Sequence, residues 1–313
     1  MKIVNATDPS IDLTIIVLSY NNAAYVSECL NSIMFTSGTF EIIIHDDGST
    51  DNSVDLIANF ISESSHDITF LKSDENIGIV KSYNKCLKVA RGRYISHIAS
   101  DDVCYLDRFD KQYLVAKADD SLIAVTGNMQ LIDASGVFLK LAKSNTNQVC
   151  EKLKVGLPAI FSPTLFYKRS IIDEFGLLPE FLINEDDALS HRIAQRPDKI
   201  VHLDRTLVKY RKIINSASSG ENTLSPSKYL SWLLENLPHQ INNLDYGIGI
   251  SNNNRSVLLS TRKEFLNQLL IMLKQKGNRG IYTIISARIL LPFMVAASFK
   301  IRMKFHRFYN KCL

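Results

Sequence analysis

The 313 residues carry 46% hydrophobic and 22% charged side chains. That is the balance of an ordinary folded protein, with enough chain to bury a full core in one large domain or two. Five scattered cysteines (Cys29, Cys86, Cys104, Cys150, Cys312) form no CxxC pair, which argues against a zinc site or a disulfide framework and for reduced thiols in a cytoplasmic protein. The net charge of +4 hides an asymmetry: from Arg255 onward there are twelve Lys/Arg against one acid, Glu264, so that stretch carries +11 and the rest of the chain −7. An acidic body with a basic tail points to an anionic partner for the tail, a membrane surface or a nucleic acid.

The amino terminus does not read as a signal peptide, because Asp8 and Asp12 interrupt it and its apolar run, Leu13–Leu18, has only the length of a strand. After that first buried strand come a polar loop, Ser19-Tyr20-Asn21-Asn22, and helical spacing over Ala23–Met34, with Val26, Leu30, Ile33 and Met34 on one side. Ile42-Ile43-Ile44 is a second buried strand. It ends on Asp46-Asp47, the turn residue Gly48 and three possible helix caps, Ser49, Thr50 and Asp51. Ile68–Leu71 is a third strand, Gly78–Ala90 a helix, and Arg93–Ile98 a fourth strand that runs into a second carboxylate pair, Asp101-Asp102. Leu106–Ala118 is again helical. Strands and helices alternating at this spacing predict βαβ units and a mainly parallel, Rossmann-like sheet, with both acid pairs on the edge where such sheets bind ligands.

Beyond Leu122–Thr126 the pattern changes. Met129–Lys140 reads as a hairpin around Asp133–Gly136, Pro158–Tyr167 as an extended apolar stretch, and Ser170–Phe175 as a short helix stopped by Gly176. Asn184-Glu185-Asp186-Asp187 opens a helix through Arg192, with its acids at the favourable end of the helix dipole. Two short strands, Lys199–Leu203 and Thr206–Tyr210, lead to Arg211-Lys212 and a polar stretch, Asn215–Asn222, that places a domain boundary near residue 220.

Clustered carboxylates at a sheet edge can hold a hard cation together with substrate phosphates, the arrangement a nucleoside diphosphate leaving group needs. A further acid, Glu185 or Asp186, can then serve as general base toward an acceptor hydroxyl. For each cluster a plain reading stays open beside this one: helix capping for Asp101-Asp102 and dipole placement for Glu185-Asp186-Asp187.

The pieces LTIIVLSYNNAAYVSECLNSI, EIIIHDDGSTDNS, NIGIVKSYNKCLKVARGRYISHIASDDV and INEDDALSHRI occur in this order. Together they resemble the inverting family 2 glycosyltransferases of the GT-A fold over roughly the first 220 residues. The resemblance implies a nucleotide-diphospho-sugar donor, for which a UDP-sugar is expected. Ser19, Tyr20 and Asp47 would lie at the base and ribose with Asp46 in support; Asp101 and Asp102 would reach Mn2+ or Mg2+ through the diphosphate; Asp186 would be the catalytic base with Glu185 beside it. Asn76, Gly78 and Asn84 match the loop and helix before the metal motif, and Arg211 matches a basic residue facing the diphosphate. Turn, helix-surface and solvated-surface roles remain open for these last four. The sequence departs from the common pattern at Leu18, where many relatives have Pro, at Ala99, where many have a further Asp, and at Ile213, where a His is frequent.

The remaining residues, 221–313, read as a C-terminal helical extension. Ile281–Phe299 carries a single charge, Arg288, and a basic flank follows from Lys300 to Lys311. Packing against the catalytic body and an interfacial amphipathic segment are both open; Pro292 and Arg288 count against a membrane span. Peripheral contact through residues 281–311 with the cytoplasmic face of the inner membrane would suit a lipid-linked saccharide acceptor, as in relatives that build O-antigen or capsule. Two rival readings are a catalytically silent nucleotide-sugar-binding scaffold and a nucleic-acid binder. Against the first, all three acid sites are intact; against the second, no aromatic–basic nucleic-acid motif is present, so no nucleic-acid partner is expected.

Overall fold

The computed structural model describes residues 8–154, 159–180 and 185–213. The boundary expected near residue 220 and the segment 281–311 lie outside them. The amino-terminal half lays down four parallel strands: β1 (Leu13–Ser19), β2 (Phe40–Asp46), β3 (Asp67–Lys72) and β4 (Tyr94–Ala99), in the spatial order β3-β2-β1-β4. All seven residues of β1 are buried, as expected of a strand covered on both faces, and this is why its sequence is continuously apolar rather than alternating. Each fully buried Ile in β1 and β2 contributes on the order of 2 kcal/mol through removal from water.

The register decides where the chemistry goes. Ser19 is opposite Asp46, and Leu18 is opposite both His45 and Ala99. The loops after β1, β2 and β4 therefore leave the sheet at one level. The helices α1 (Val26–Asn31), α2 (Ser53–Glu63) and α3 (Ile79–Val89) return the chain between strands. In α3, Val80, Tyr83, Cys86 and Leu87 are buried at helical spacing, so one face packs on the sheet. α1 is shorter than the expected Ala23–Met34 because Asn22 to Tyr25 are held by loop hydrogen bonds, with Ala23 N–H donating to Asp51 and Asn22 N–H to Ser53.

The second half is mixed. It contains β5 (Val103–Cys104), α4 (Arg108–Ala118), β6 (Ala124–Asp133), β7 (Phe138–Ala142), α5 (Thr146–Lys154), β8 (Phe166–Lys168), α6 (Ser170–Phe175), α7 (Glu185–Ala194) and β9 (Ile200–Lys212). β8 runs antiparallel between β4 and β6, β9 parallel to β6, and β7 forms the expected hairpin with β6. The sheet is thus all-parallel through its first four strands and mixed beyond them. β9 is one strand where two were expected; the polar pair Asp204-Arg205 is absorbed by register shifts against Gly127 and Asn128. α5 was not anticipated.

The joint between the halves is a buried arginine. Arg108 donates to Ser96 Oγ (3.0 Å), the His97 carbonyl (3.1 Å) and Cys104 Sγ (3.3 Å). One turn later Gln112 donates to the carbonyls of Val125 and Thr164. Together they tie β4, β5, β6 and the turn at Ser162–Thr164 to α4.

Candidate active site

At the C-terminal ends of β1, β2 and β4 the loops are sewn together by backbone bonds: Asp47 N–H to Ser19 O (2.8 Å), Ser73 N–H to Asp46 O (2.9 Å) and Ser100 N–H to Leu18 O (2.9 Å). Asp46 is fully buried; its carboxylate accepts from Ser49 N–H (2.8 Å) and Ser49 Oγ (2.6 Å) and closes the turn. Asp47 accepts from the N–H groups of Ile77 and Gly78, both at 2.9 Å, and so anchors the loop that opens α3. Gly48 lies in the left-handed region at φ 76°, and a Cβ there would come within 2.5 Å of the Glu75 backbone, so both the turn and the close approach require glycine. Asp51 is engaged too, receiving Ser53 N–H and Ala23 N–H. Burial pushes its carboxyl up, and these bonds more than reverse that, leaving it below the usual range.

The other expected residues divide. Ser19 is buried and its Oγ has no hydrogen-bond partner, whereas Tyr20 is 43% exposed. Asn76 is exposed and its Oδ1 accepts from Gly78 N–H. Asn84 is buried, and its amide pairs in both directions with the backbone of Leu178, at 2.8 Å each way. That places it as a clamp between α3 and the segment after α6.

Asp101 and Asp102 follow β4 in a tight turn. Asp102 is 1% exposed; one carboxylate oxygen accepts Arg211 N–H (2.8 Å), and the other, Oδ2, is buried without a partner. Burial drives Asp102 well above the usual carboxylate range and the charge of Asp101 adds to that; burial raises Asp101 as well. Arg211 is buried, with its guanidinium 4.5 Å over the Tyr25 ring. It donates to the Asp101 carbonyl (2.8 Å), the Ala134 carbonyl (3.2 Å) and Glu28 Oε2 (2.7 Å). Each of its side-chain nitrogens is engaged within the protein. Arg211 therefore anchors the acidic turn.

Two adjacent acids, Asp101 half-buried and Asp102 buried, both pushed toward protonation, with one oxygen orphaned, fit a hard divalent cation: oxygen ligands are what such an ion takes, and its charge would offset the desolvation. A second group of metal-ligating types joins the preceding strand to α7. His97 of β4 and Glu185 and Asp186 at the start of α7 bring ligand atoms within 4.8 Å of one another. Here a serine is already in place: Ser162 Oγ donates to Asp186 Oδ1 and stands 3.3 Å from His97 Nε2. Sequence reasoning overlooked both His97 and Ser162. The cue for His97 was a polar side chain in the middle of an otherwise buried strand, Tyr94–Ala99; Ser162 gave none.

The family model for "Glycosyl transferase family 2" matches residues 14–175, just over half of the chain. The chain belongs to this family. The glycosyltransferase is 26% identical over 223 residues to the uncharacterized glycosyltransferase MG025 of Mycoplasma genitalium, covering 70% of this chain and 74% of that one. It is also 26% identical to glycosyltransferase GlyG of Streptococcus pneumoniae, over 68% and 75% of the two chains. Among solved structures it resembles S. aureus TarS in complex with UDP-GlcNAc (TM-score 0.60, 20% identity, 73% of this chain and 66% of that one). It also resembles GalNAc-T7 with UDP, GalNAc and Mn2+ (TM-score 0.52, 10% identity, 69% and 45%). The fold is GT-A.

Proposed function

We propose that this glycosyltransferase moves a sugar, with inversion, from a UDP-sugar to a saccharide acceptor, lipid-linked, in surface-polysaccharide biosynthesis. One observation carries the donor half of this reading. Two buried oxygens without partners, Ser19 Oγ and Asp102 Oδ2, lie past the ends of adjacent parallel strands. Buried polar groups are normally satisfied, so two orphans at one sheet edge are places for a ligand to complete. The UDP-GlcNAc of TarS and the UDP and Mn2+ of GalNAc-T7 support the same donor class.

In this reading the exposed Tyr20 ring receives the base. Ser19 and Asp47 hold base and ribose, Asp46 keeps the turn, and the exposed Asn76 lines the loop that Asp47 fixes. Asp101 and Asp102 would hold Mn2+ or Mg2+, which when bound offsets the diphosphate charge. Asp186 takes the proton from the acceptor hydroxyl as its oxygen attacks the anomeric carbon; the anomeric carbon–phosphate oxygen bond breaks, the nucleoside diphosphate leaves and the configuration inverts. Glu185, 6% exposed beside it, shapes the acceptor side.

The test is thermal unfolding against a panel of nucleotide-sugars with and without Mn2+. A true donor at about 100 times its dissociation constant adds about 2.7 kcal/mol of stability, and protection by none of them would overturn the reading. For the acceptor side, no helix among the described residues is long and apolar enough to cross a membrane. Peripheral contact through residues 281–311 predicts binding to anionic vesicles at low salt and release at high salt. A protein that ignores such vesicles would remove the membrane from the proposal.

A further inference from the structure

We propose that His97 and Ser162 form a buried hydrogen-bonded support that orients the carboxylate of Asp186; this rests on Asp186 being the base. Four groups from four parts of the fold line up behind that carboxylate. Tyr167 Oη on β8 is 2.8 Å from Tyr83 Oη on α3. Tyr83 Oη is 3.5 Å from His97 Nδ1, with the two rings edge to face. His97 Nε2 is 3.3 Å from Ser162 Oγ, and Ser162 Oγ donates to Asp186 Oδ1. Tyr83, Tyr167, His97 and Ser162 are all buried, so water does not compete for these bonds.

The proton positions follow from the acceptors. Ser162 gives its only hydrogen to Asp186, so its oxygen must receive from His97 Nε2. Glu185 Oε1, 3.5 Å from the same nitrogen, imposes the same choice, since a bare Nε2 would face two acceptors. With Nε2 protonated, Nδ1 accepts from Tyr83, and Tyr83 accepts from Tyr167. Every hydrogen then points one way along the chain and ends on the Asp186 carboxylate.

The charged and titratable groups around the imidazole keep this arrangement. Glu185 and Asp186 face it from α7, Tyr83 from α3 and Arg108 from α4. Burial pulls the imidazole down to about 4, Asp186 opposes this and Arg108 adds to it, so at neutral pH the ring is a neutral donor with one N–H to give. Its consequence is geometric. One oxygen of Asp186 is pinned and its rotamer fixed, which leaves the other oxygen for the acceptor hydroxyl; a base held this way is a preorganised one. His97 and Ser162 are positioning residues and touch no substrate.

Two measurements on the full-length protein test this. Nitrogen NMR of the labelled histidines, with His97 assigned through H97Q, should find the neutral Nε2–H tautomer at neutral pH and a changed Nε2 signal in S162A. The Nδ1–H tautomer, or an Nε2 signal indifferent to S162A, would overturn the support. The second measurement follows UDP release from UDP-N-acetylglucosamine in variants whose thermal midpoints match the wild type. S162A and H97L should lower kcat about tenfold while the donor KM stays within roughly twofold. H97Q, whose amide nitrogen can stand in for Nε2, should recover most of that loss, and neither S162A nor H97L should cost anything further in a D186N background. S162A and H97L turning over like the wild type while D186N is inactive overturns this inference alone. D186N at the wild-type kcat removes the base reading, and this inference with it.

Discussion

Two Asp-Asp pairs end two parallel strands of the same sheet, and they are built in opposite ways. Asp46 and Asp47 are saturated: each carboxylate oxygen takes a hydrogen bond from Ser49, Ile77 or Gly78. Asp101 and Asp102 are starved: burial pushes both toward protonation, and Asp102 Oδ2 has no partner. A buried acid that is satisfied by the protein stabilises it, whereas one left short costs stability until something else arrives. In the proposed function the first pair therefore shapes the loops that frame the donor, and the second is where a ligand would be held. Loss of a starved or reacting acid should cost chemistry and spare the fold; loss of a saturated one should cost the fold first.

The largest effect expected is at the third acid site. D186N keeps the shape of the side chain and its Ser162 hydrogen bond but cannot accept a proton. Turnover should fall by roughly 10²-fold or more, a common range for general-base loss, with donor affinity and thermal midpoint nearly unchanged. A variant that turns over normally would move the base to Glu185 or Asp187.

Next in size is D102A. Calorimetric titration of UDP with and without Mn2+ should show a metal-dependent gain in the wild type that shrinks by about 10- to 100-fold in the variant, in line with losses at groups supporting a metal. Equal UDP affinity in wild-type protein with and without the metal would break the contrast between the two pairs.

Smaller still, and in the opposite currency, is D47N. Its amide NH2 would face one of the two N–H groups of Ile77 and Gly78, while its oxygen keeps the other. Leaving a buried donor unpaired costs about 1–3 kcal/mol, read as a lower denaturant midpoint before any ligand is added. D102N, which removes one of two crowded buried charges, should lose less than D47N. The reverse order would mean that the two pairs are not different in kind.

Which parts of this the sequence could reveal depends on the range of the interactions. The strands and their acidic ends were legible because each follows from local composition: a β-branched run, then acids, then a glycine or a cap. α5 was missed because its buried face is only two residues, Val149 and Leu153, in a polar stretch. The roles of Asn84 and Arg211 were beyond reach because their partners are remote in the chain: Arg211 lies 110 positions from the Asp101 carbonyl it holds, and Asn84 lies 94 from Leu178. The Glu185-Asp186 pair could be seen, but not the His97 and Ser162 behind it, 65 residues apart from each other.

The last effect expected concerns pH, and it separates the two halves of the sheet. His97 on β4 and His202 on β9 are both pulled down to about 4 by burial, from an ordinary value of 6.5. His202 bridges Thr126 and Asn128 on β6 through its two ring nitrogens, each at 2.9 Å. Both rings must stay neutral for these bonds to persist. Their folded values lie below the unfolded one, so between about 4 and 6.5 the unfolded chain binds more protons than the folded one. The stability they confer is complete above that window and is lost as pH falls through it. Asp12, Asp51 and Asp110, held below 3.8, lose theirs only at lower pH, whereas Asp101 and Asp102, raised by burial, act in the opposite sense as they take up protons, so the histidines' share is read as the difference between wild type and variant. For each ring the loss is about 3 kcal/mol at most. Denaturant midpoints measured from neutral pH down to mildly acid pH should respond less steeply to acid in H97Q and in H202Q than in the wild type. Variant and wild-type midpoints that move in parallel across the window would mean that neither ring is held neutral by its half of the sheet.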